Sequence, residues 1–321
     1  MNADRTADPT RSSSPETSAE MEAASLDVVR LKHPLRWTAS VVVLVGIVLF
    51  IKGAVSNEQL QWDVVGEYMF DSTIMDGLRT TMVLTAVCML VAIVLGTIVA
   101  VMRLSPSPLL SWPAAAFVWF FRGVPALVQL IFWFNLALLV RTVTFSLPGI
   151  GTIIDAQTND FMTPFVAAVM GLGLHEAGYM AETVRAGISS VDKGQTEAAG
   201  ALGMNSRLTL YRIVLPQAMR LIIPPTGNAT IGLLKTTSLV SVIAVGDLLN
   251  AAQNIYTRTF ETIPLLLVVT FWYLVVVTIL SIGQQHLENY FSKDVQAGRP
   301  KGLLRRTITN AFSLRRREVT S

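Results

Sequence analysis

The 321-residue chain is 52% hydrophobic and only 15% charged, with a mean hydropathy of +0.52. Soluble domains carry about a quarter charged residues, so this deficit excludes an ordinary water-soluble globule and points to lipid as the solvent. One cysteine, Cys88, excludes an internal disulfide framework, and the net charge of +3 puts the weight on where charges lie.

The first 29 residues are rich in Ser, Thr, Ala, Glu and Asp, with no aromatic residue and a single Leu. A segment of that kind cannot bury enough apolar surface to offset its chain entropy, so residues 1–34 read as a disordered cytoplasmic tail, with a docking tail as the alternative. Six apolar segments follow, at 37–51, 80–102, 112–140, 161–189, 221–245 and 263–283. Most reach the roughly 20 residues that a membrane helix requires. The first is short, and Arg36, Trp37 and Lys52 at its ends suit the interface. It is expected as an extra N-terminal transmembrane helix over 35–55. A cleaved signal is the competing reading, because "GAVS" follows it, but the polar lead is long for a signal. The expected class is an all-α membrane protein with six transmembrane helices.

With the N-terminus placed inside and loops assigned alternately, the inner segments hold 20 of the 25 basic residues and the outer ones hold 4, leaving Lys235 within a helix. That asymmetry sets both termini in the cytoplasm. Residues 291–321 form a basic cytoplasmic tail, either a stop after the last helix or an amphipathic segment resting on anionic lipid.

Between the fourth and fifth segments lies a polar insert, 190–217, containing "GQTEAAGALGMNSRLTLYRIVLP". "QTEAAGALGM" is helix-prone, with Gly203 placed to end it in a left-handed conformation. Asn205 can cap a second helix, which Pro216 is expected to close before the next membrane segment. Ala198, Ala199, Leu202 and Met204 would make a small apolar knob suited to a groove on another protein. An ordinary return loop is the plainer reading, but a return needs only a few residues.

The spacing Glu197-Ala198-Ala199, Gly203, Ile213, Leu215-Pro216 resembles the EAA loop of ABC-importer permeases. "FRGVPALVQLIFW", "AGYMAETVRAGISSVDKGQTEAA" and "IPPTGNATIGLLKTTSLVSVI" are similar to the polar amino-acid branch, the histidine/glutamine/glutamate/arginine type. The likeness covers residues 73–290, a five-helix permease core following the extra N-terminal helix. Val124 stands where many relatives have Thr, and Thr236 where many have Asp. The resemblance implies that the EAA loop docks on a cytoplasmic ABC ATPase dimer, where ATP and Mg are bound, and that this chain holds no cofactor and is no enzyme. It also implies a second permease subunit, the same or related, an extracytoplasmic solute-binding protein, a polar amino acid as cargo, and the plasma membrane of a bacterium. Nucleic acid has no place in it. The chain carries no G-x-x-x-x-G-K-[ST] phosphate loop of its own.

Ionisable residues inside membrane segments are costly and are functional candidates. The fourth segment carries His175, Glu176 and Glu182, and the fifth carries Lys235. "HEAGY" lacks the second His of a zinc-protease helix, since Tyr179 occupies that position. At about 1.5 Å rise per residue, Glu176 lies roughly 21 Å from the inner face and Lys235 about 16 to 28 Å from it. Glu176 either meets the cargo's ammonium or pairs with Lys235 or His175 to hold helices together. Tyr179, Asn228, Thr237 and Ser238 are further pathway candidates, with freed backbone expected where Pro224 and Pro225 break or bend the fifth helix. Glu182 and Arg185, one turn apart, are expected to support the coupling loop. Gly173, Ala177 and Ala181 form a small-residue stripe for close helix packing, within the chain or between permeases. The rival from another class is an ion-coupled secondary carrier using His175 and Glu176 as a relay, which gives the insert no purpose.

Overall fold

The computed structural model describes residues 34–147 and 151–291; of the two expected tails, 1–34 and 291–321, all but Pro34 and Phe291 lie outside the described residues. Residues 1–57 and 58–321 form two units. In the first, α1 (Pro34–Val55) exposes its Val, Leu and Ile side chains, Val42 at 70%. Such a helix suits lipid, because its backbone polar groups are satisfied internally and its apolar surface needs no protein cover.

The second unit opens with a 3₁₀ turn, Glu58–Leu60, and the short helix α2 (Trp62–Tyr68). Asp71 then caps α3 (Ser72–Leu104), its carboxylate accepting from the Thr73 amide at 2.8 Å. The third apolar segment is two helices, α4 (Pro108–Gly123) and α5 (Ala126–Phe134), bent by 101° across Val124-Pro125. Proline has no amide hydrogen and disfavours helix in the residue before it, so the oblique entry read from the sequence has a local cause. A four-residue helix, α6 (Leu136–Leu139), follows.

An antiparallel pair comes next, β1 (Thr142–Leu147) with β2 (Gly151–Gln157), bulged between Phe145 and Ser146. The sequence reading passed over this hairpin, although "TVTFSL" alternates and Pro148-Gly149 is a turn dipeptide. After α7 (Thr158–Phe161), Thr163 caps the long α8 (Pro164–Ser189). Next come α9 (Lys193–Ala201), α10 (Ser206–Thr209), a π-helical segment Leu210–Val214 and α11 (Leu215–Thr236). A 3₁₀ stretch, Thr237–Ile243, leads to α12 (Leu248–Thr259) and α13 (Thr262–Phe291).

Helix α8 is the core. Its Leu172, Ala177, Met180 and Val184 are buried against Leu84, Cys88 and Ala92 of α3, Leu130 of α5 and Ile222 of α11. Close approach rests on Gly96, where a Cβ would lie 2.7 Å from the Met180 Cβ and 2.9 Å from the Ala177 carbonyl. The small-residue stripe works inside this chain: Gly173 faces Val91, and the fully buried Ala181 clusters with Val99, Ala114 and Val118. That corrects the alternative placing the stripe between permeases, since its surface is already covered.

Among the described residues, three helices are long and apolar enough to cross a membrane, or up to five if each bent pair is one span. Those three contain Thr38–Val55, Ser72–Leu104 and Thr262–Phe291. The bent pairs are α4 with α5, and the stretch 206–243 with α12. The fourth expected segment, α8, is not among them. Its 26 residues are long enough, but it carries His175, Glu176, Glu182 and Arg185, and one face of it is buried against neighbouring helices.

Two expected proline breaks are overturned. Pro216 does not close a helix, because α10, the π segment and α11 run on without a break. The wider π turn just before Pro216 accommodates the missing amide. Pro224 and Pro225 likewise sit inside α11 without ending it. Side chains supply bonds there: Gln284 of α13 donates to the Pro224 carbonyl at 2.8 Å, and the Thr226 hydroxyl donates to the Ile222 carbonyl at 2.7 Å. The departure from helix comes later, at Ala244 with φ 56°, followed by a 44° bend into α12.

Helices α2, α3, α12 and α13 pack at the end remote from α9, around Ile74, Leu248, Leu265 and Val268. There the Trp272 indole donates to the Met69 carbonyl at 2.8 Å. Helix α12 is closed by Phe260 in the left-handed region (φ 63°, ψ 15°), its amide donating to the Tyr256 carbonyl at 2.8 Å. Glycine is usual at such a position, and an L-residue there costs about 1–2 kcal/mol. Yet this Phe is 87% exposed.

Candidate functional site

The elbow after α8 is built by three local devices. Asp192 caps α9, its carboxylate accepting from the Gly194 amide at 2.6 Å. At the other end the Met204 amide donates to the Ala199 carbonyl (3.0 Å) and the Gly203 amide to the Gly200 carbonyl (2.9 Å). With Gly203 at φ 77° this is a Schellman closure. Asn205 then starts α10, its side-chain carbonyl accepting from the Leu208 amide at 2.9 Å. The turn chemistry of Gly203 and Asn205 is thus as the sequence reading has it.

The expected knob is split. Ala198 and Leu202 are exposed, Leu202 at 83%, with Glu197 exposed beside them. Ala199 is buried and Met204 half-buried, because both face the helices behind the elbow. The outward surface is therefore Glu197, Ala198, Leu202 and Gly203. Ile213 and Leu215 are half-buried and Pro216 is exposed. A cavity of about 540 Å³ lies beneath, bounded by Leu104, Ile188, Thr196, Met204 and Val214.

Glu182 stands at the elbow end of α8, paired with Arg103 of α3 at 2.7 Å and with Arg185 on its own helix. The sequence reading found the Glu182–Arg185 pair and missed Arg103, although Arg103 closes the second apolar run at the same end. The Arg122 guanidinium lies 5.0 Å from the Tyr179 ring centroid, and Tyr179 meets the His175 ring at 5.2 Å. Together Arg122, Tyr179, Glu182, Thr183 and Pro225 border a cleft of about 460 Å³.

Beside His175 of α8, Gln129 of α5 staples the α4–α5 bend. Its amide nitrogen lies 3.0 Å from the Phe121 carbonyl, 2.9 Å from the Val124 carbonyl and 3.1 Å from His175 Nδ1. Its own carbonyl oxygen is buried with no partner among the described residues. A lone Gln in an apolar run was the signal that sequence reasoning passed over. His175 therefore faces Gln129 and Tyr179, and the expected His175–Glu176 relay has no contact to run through among the described residues. Glu176 is half-buried, with no hydrogen bond or ion pair among the described residues; Lys235 is exposed, and no ion pair joins the two. Asn228 is exposed on α11. Thr237 is fully buried with its hydroxyl donating to the Leu234 carbonyl at 2.6 Å, and Ser238 donates to the Lys235 carbonyl at 2.8 Å. The pathway candidates thus fall into two groups, Glu176 with Tyr179 on α8 and the rest on α11 and its 3₁₀ extension. No hydrogen bond joins them among the described residues. The described residues hold no cluster of metal-ligating side chains.

A helical core with prolines and polar side chains inside apolar helices, and a capped polar elbow at one end, defines a membrane permease. Residues 92–293 match the family described as the binding-protein-dependent transport system inner membrane component, and the chain belongs to that family. It is 45% identical over 264 residues to the arginine transport system permease protein ArgU of Corynebacterium glutamicum, covering 82% of each chain. It is 34% identical to the glutamate/aspartate import permease protein GltK of Escherichia coli, over 63% of this chain and 86% of that one. A crystal structure of an amino acid ABC transporter with histidines superposes with a TM-score of 0.59 at 29% identity, over 68% of this chain and 94% of that one. The MetNI methionine ABC transporter, at 16% identity and a TM-score of 0.55, shares the fold.

Proposed function

We propose that this permease subunit of an amino-acid ABC importer carries a polar amino acid inward across the plasma membrane, with a cationic amino acid as the favoured cargo. The 190–217 elbow seats on an ATPase dimer of separate chains, which bind ATP and Mg. Both termini and the elbow face the cytoplasm. A second permease subunit completes the membrane pathway through the 73–290 core, and an extracytoplasmic binding protein delivers the cargo. Closure of the ATPase pair displaces the Glu197 helices, and the core opens outward. The elbow must therefore interact differently with the two states of the ATPase, because equal binding to both shifts nothing.

The observation that carries the reading is the exposed face Glu197–Ala198–Leu202–Gly203, fixed by a cap at each end and continuous through 206–236 with the helix that crosses the core. A cationic cargo is supported by Glu176, which has no ion pair among the described residues, and by the likeness to an arginine permease. In the core, Glu176 and Tyr179 meet the cargo, Asn228, Lys235, Thr237 and Ser238 line its path in other states of the cycle, and Glu182 with Arg185 braces the elbow.

A mild-detergent pull-down of the tagged chain, wild type against Gly203→Asp, tests the docking. The ATPase co-purifies with wild type and is lost from the variant, while membrane insertion is unchanged. Uptake that survives ATP depletion and collapses with an uncoupler would overturn the reading in favour of an ion-coupled carrier. For the cargo, Glu176→Gln lowers uptake of labelled arginine more than tenfold relative to glutamine if the carboxylate meets a cation, about the 1.5–3 kcal/mol of a charged hydrogen bond. An equal loss for both substrates would remove Glu176 from cargo recognition.

A further inference from the structure

The end of the 58–321 unit remote from the elbow carries a surface that transport through the core does not explain. Residues 58–79 contain Glu58, Asp63, Glu67, Asp71 and Asp76 against Arg79 alone, and 254–262 add Glu261 and Arg258. Six carboxylates against two guanidiniums leave the patch at −4. These segments are neighbours in the fold, since α2 packs on α13 and the α3 start packs on α12. A polar cleft of about 500 Å³ lies between them, bordered by Tyr68, Asp71, Asn254 and Arg258. Burial, and then the carboxylates of Glu67, Glu261 and Asp71, hold the Tyr68 phenol above its ordinary pKa.

Two aromatic side chains project from this acidic field. Phe70 is 73% exposed, with only its edge on Trp272 at 5.7 Å, and Phe260 is 87% exposed. Phe260 also occupies a left-handed position that glycine would hold without strain. A strained backbone that holds a large apolar group outward motivates a search for function. Lipid is a poor occupant, because a net-negative rim is repelled by anionic headgroups. A folded protein with a basic face and an apolar pocket fits both features: aromatic anchors dominate such interfaces, and opposite charge sets the association rate.

We propose that this acidic, Phe-anchored surface is where the extracytoplasmic binding protein seats a positively charged face, with Phe260 and Phe70 as its anchors. The inference rests on the importer reading above and on its orientation. It adds the place, the charge sign and the anchoring residues.

The test uses the complete permease–ATPase complex in nanodiscs and the cargo-loaded binding protein that stimulates wild-type ATP hydrolysis. Three variants are compared: Phe260→Gly, the double substitution Glu67→Lys with Glu261→Lys, and Asp160→Lys as a control on an exposed residue outside the patch. Phe260→Gly relieves backbone strain, so loss of function in it does not come from misfolding. Both patch variants keep basal hydrolysis. Each raises the binding-protein concentration for half-maximal stimulation by about tenfold or more, the cost of losing an interface anchor or of like-charge contact. The charge-reversed variant also loses the salt sensitivity of the wild-type association. Wild-type affinity and salt response in both variants would overturn the proposal while leaving the importer reading intact. Reduced membrane yield of Phe260→Gly with unchanged stimulation would overturn it too, making Phe260 a lipid anchor. If no binding protein stimulates the wild-type complex, both readings fall together.

Discussion

Gly203 offers the sharpest numerical test, because the structure isolates a single cause. A Cβ placed there meets nothing within 4 Å, so a substitution clashes with no neighbour. Only the backbone conformation, φ 77°, resists a side chain. The left-handed penalty for an L-residue is about 1–2 kcal/mol. If the Schellman closure shapes the docking face, that penalty reduces ATPase affinity by roughly five- to thirtyfold. The order follows the conformational preference: Gly203→Asn is mildest, because Asn tolerates this region, Gly203→Ala is intermediate, and β-branched Gly203→Val is worst. Gly200→Ala is the internal control. Its Cβ also meets open space, but it lies within α9 at ordinary helical angles, so the substitution is neutral or slightly stabilising. Titrating the ATPase subunit against nanodisc-reconstituted permease reads each affinity directly. Equal affinities for Gly, Ala and Val at 203, or a loss at 200 matching that at 203, would refute the argument.

Further expectations follow from the same contacts. Glu182→Gln leaves the Arg103 and Arg185 guanidiniums without their carboxylate; because all three side chains are about a third exposed, the cost is about 1 kcal/mol, a Tm decrease of roughly 2–4 °C in the purified complex. No change in Tm would make the triad ornamental. Gln129→Leu keeps the volume but strips donors from the Phe121 and Val124 carbonyls, about 1–3 kcal/mol for each left unsatisfied. Faster proteolysis at the 123–126 bend checks it, and an unaltered cleavage rate would show that the bend holds itself. Loss of the Gln284 bond to the Pro224 carbonyl in Gln284→Leu costs about 1 kcal/mol, read as a lower midpoint of thermal aggregation.

Much of this was legible because its causes are local. Glycine at a left-handed closure and Asn at a helix start leave their mark in "LGMNS" regardless of context, and Gly203 and Asn205 adopt the conformations their chemistry prescribes. Prolines misled for the opposite reason. Whether a proline breaks a membrane helix depends on what holds the chain beside it, and Gln284, which donates to the Pro224 carbonyl, is sixty residues away in sequence. The burial of Ala199 and Met204 likewise depends on what lies behind the elbow. Composition placed α8 among the apolar segments, whereas much of its surface packs against neighbouring helices. Arg103 and Gln129 were visible as polar residues in apolar runs, and only packing could name their partners.

The unbroken path from Ser206 through the π turn to Thr236 has a mechanical consequence. Thirty-one residues at about 1.5 Å each make a rod of roughly 46 Å, and between its two ends there is no loop in which a push could dissipate. A tilt of about ten degrees imposed at the elbow therefore sweeps the far end through roughly 8 Å, wider than an amino acid's backbone. The looser π turn sits within a turn of the foot. The lever has its compliant turn at its pivot, and a small stroke at the elbow arrives amplified where Lys235 and Thr237 stand.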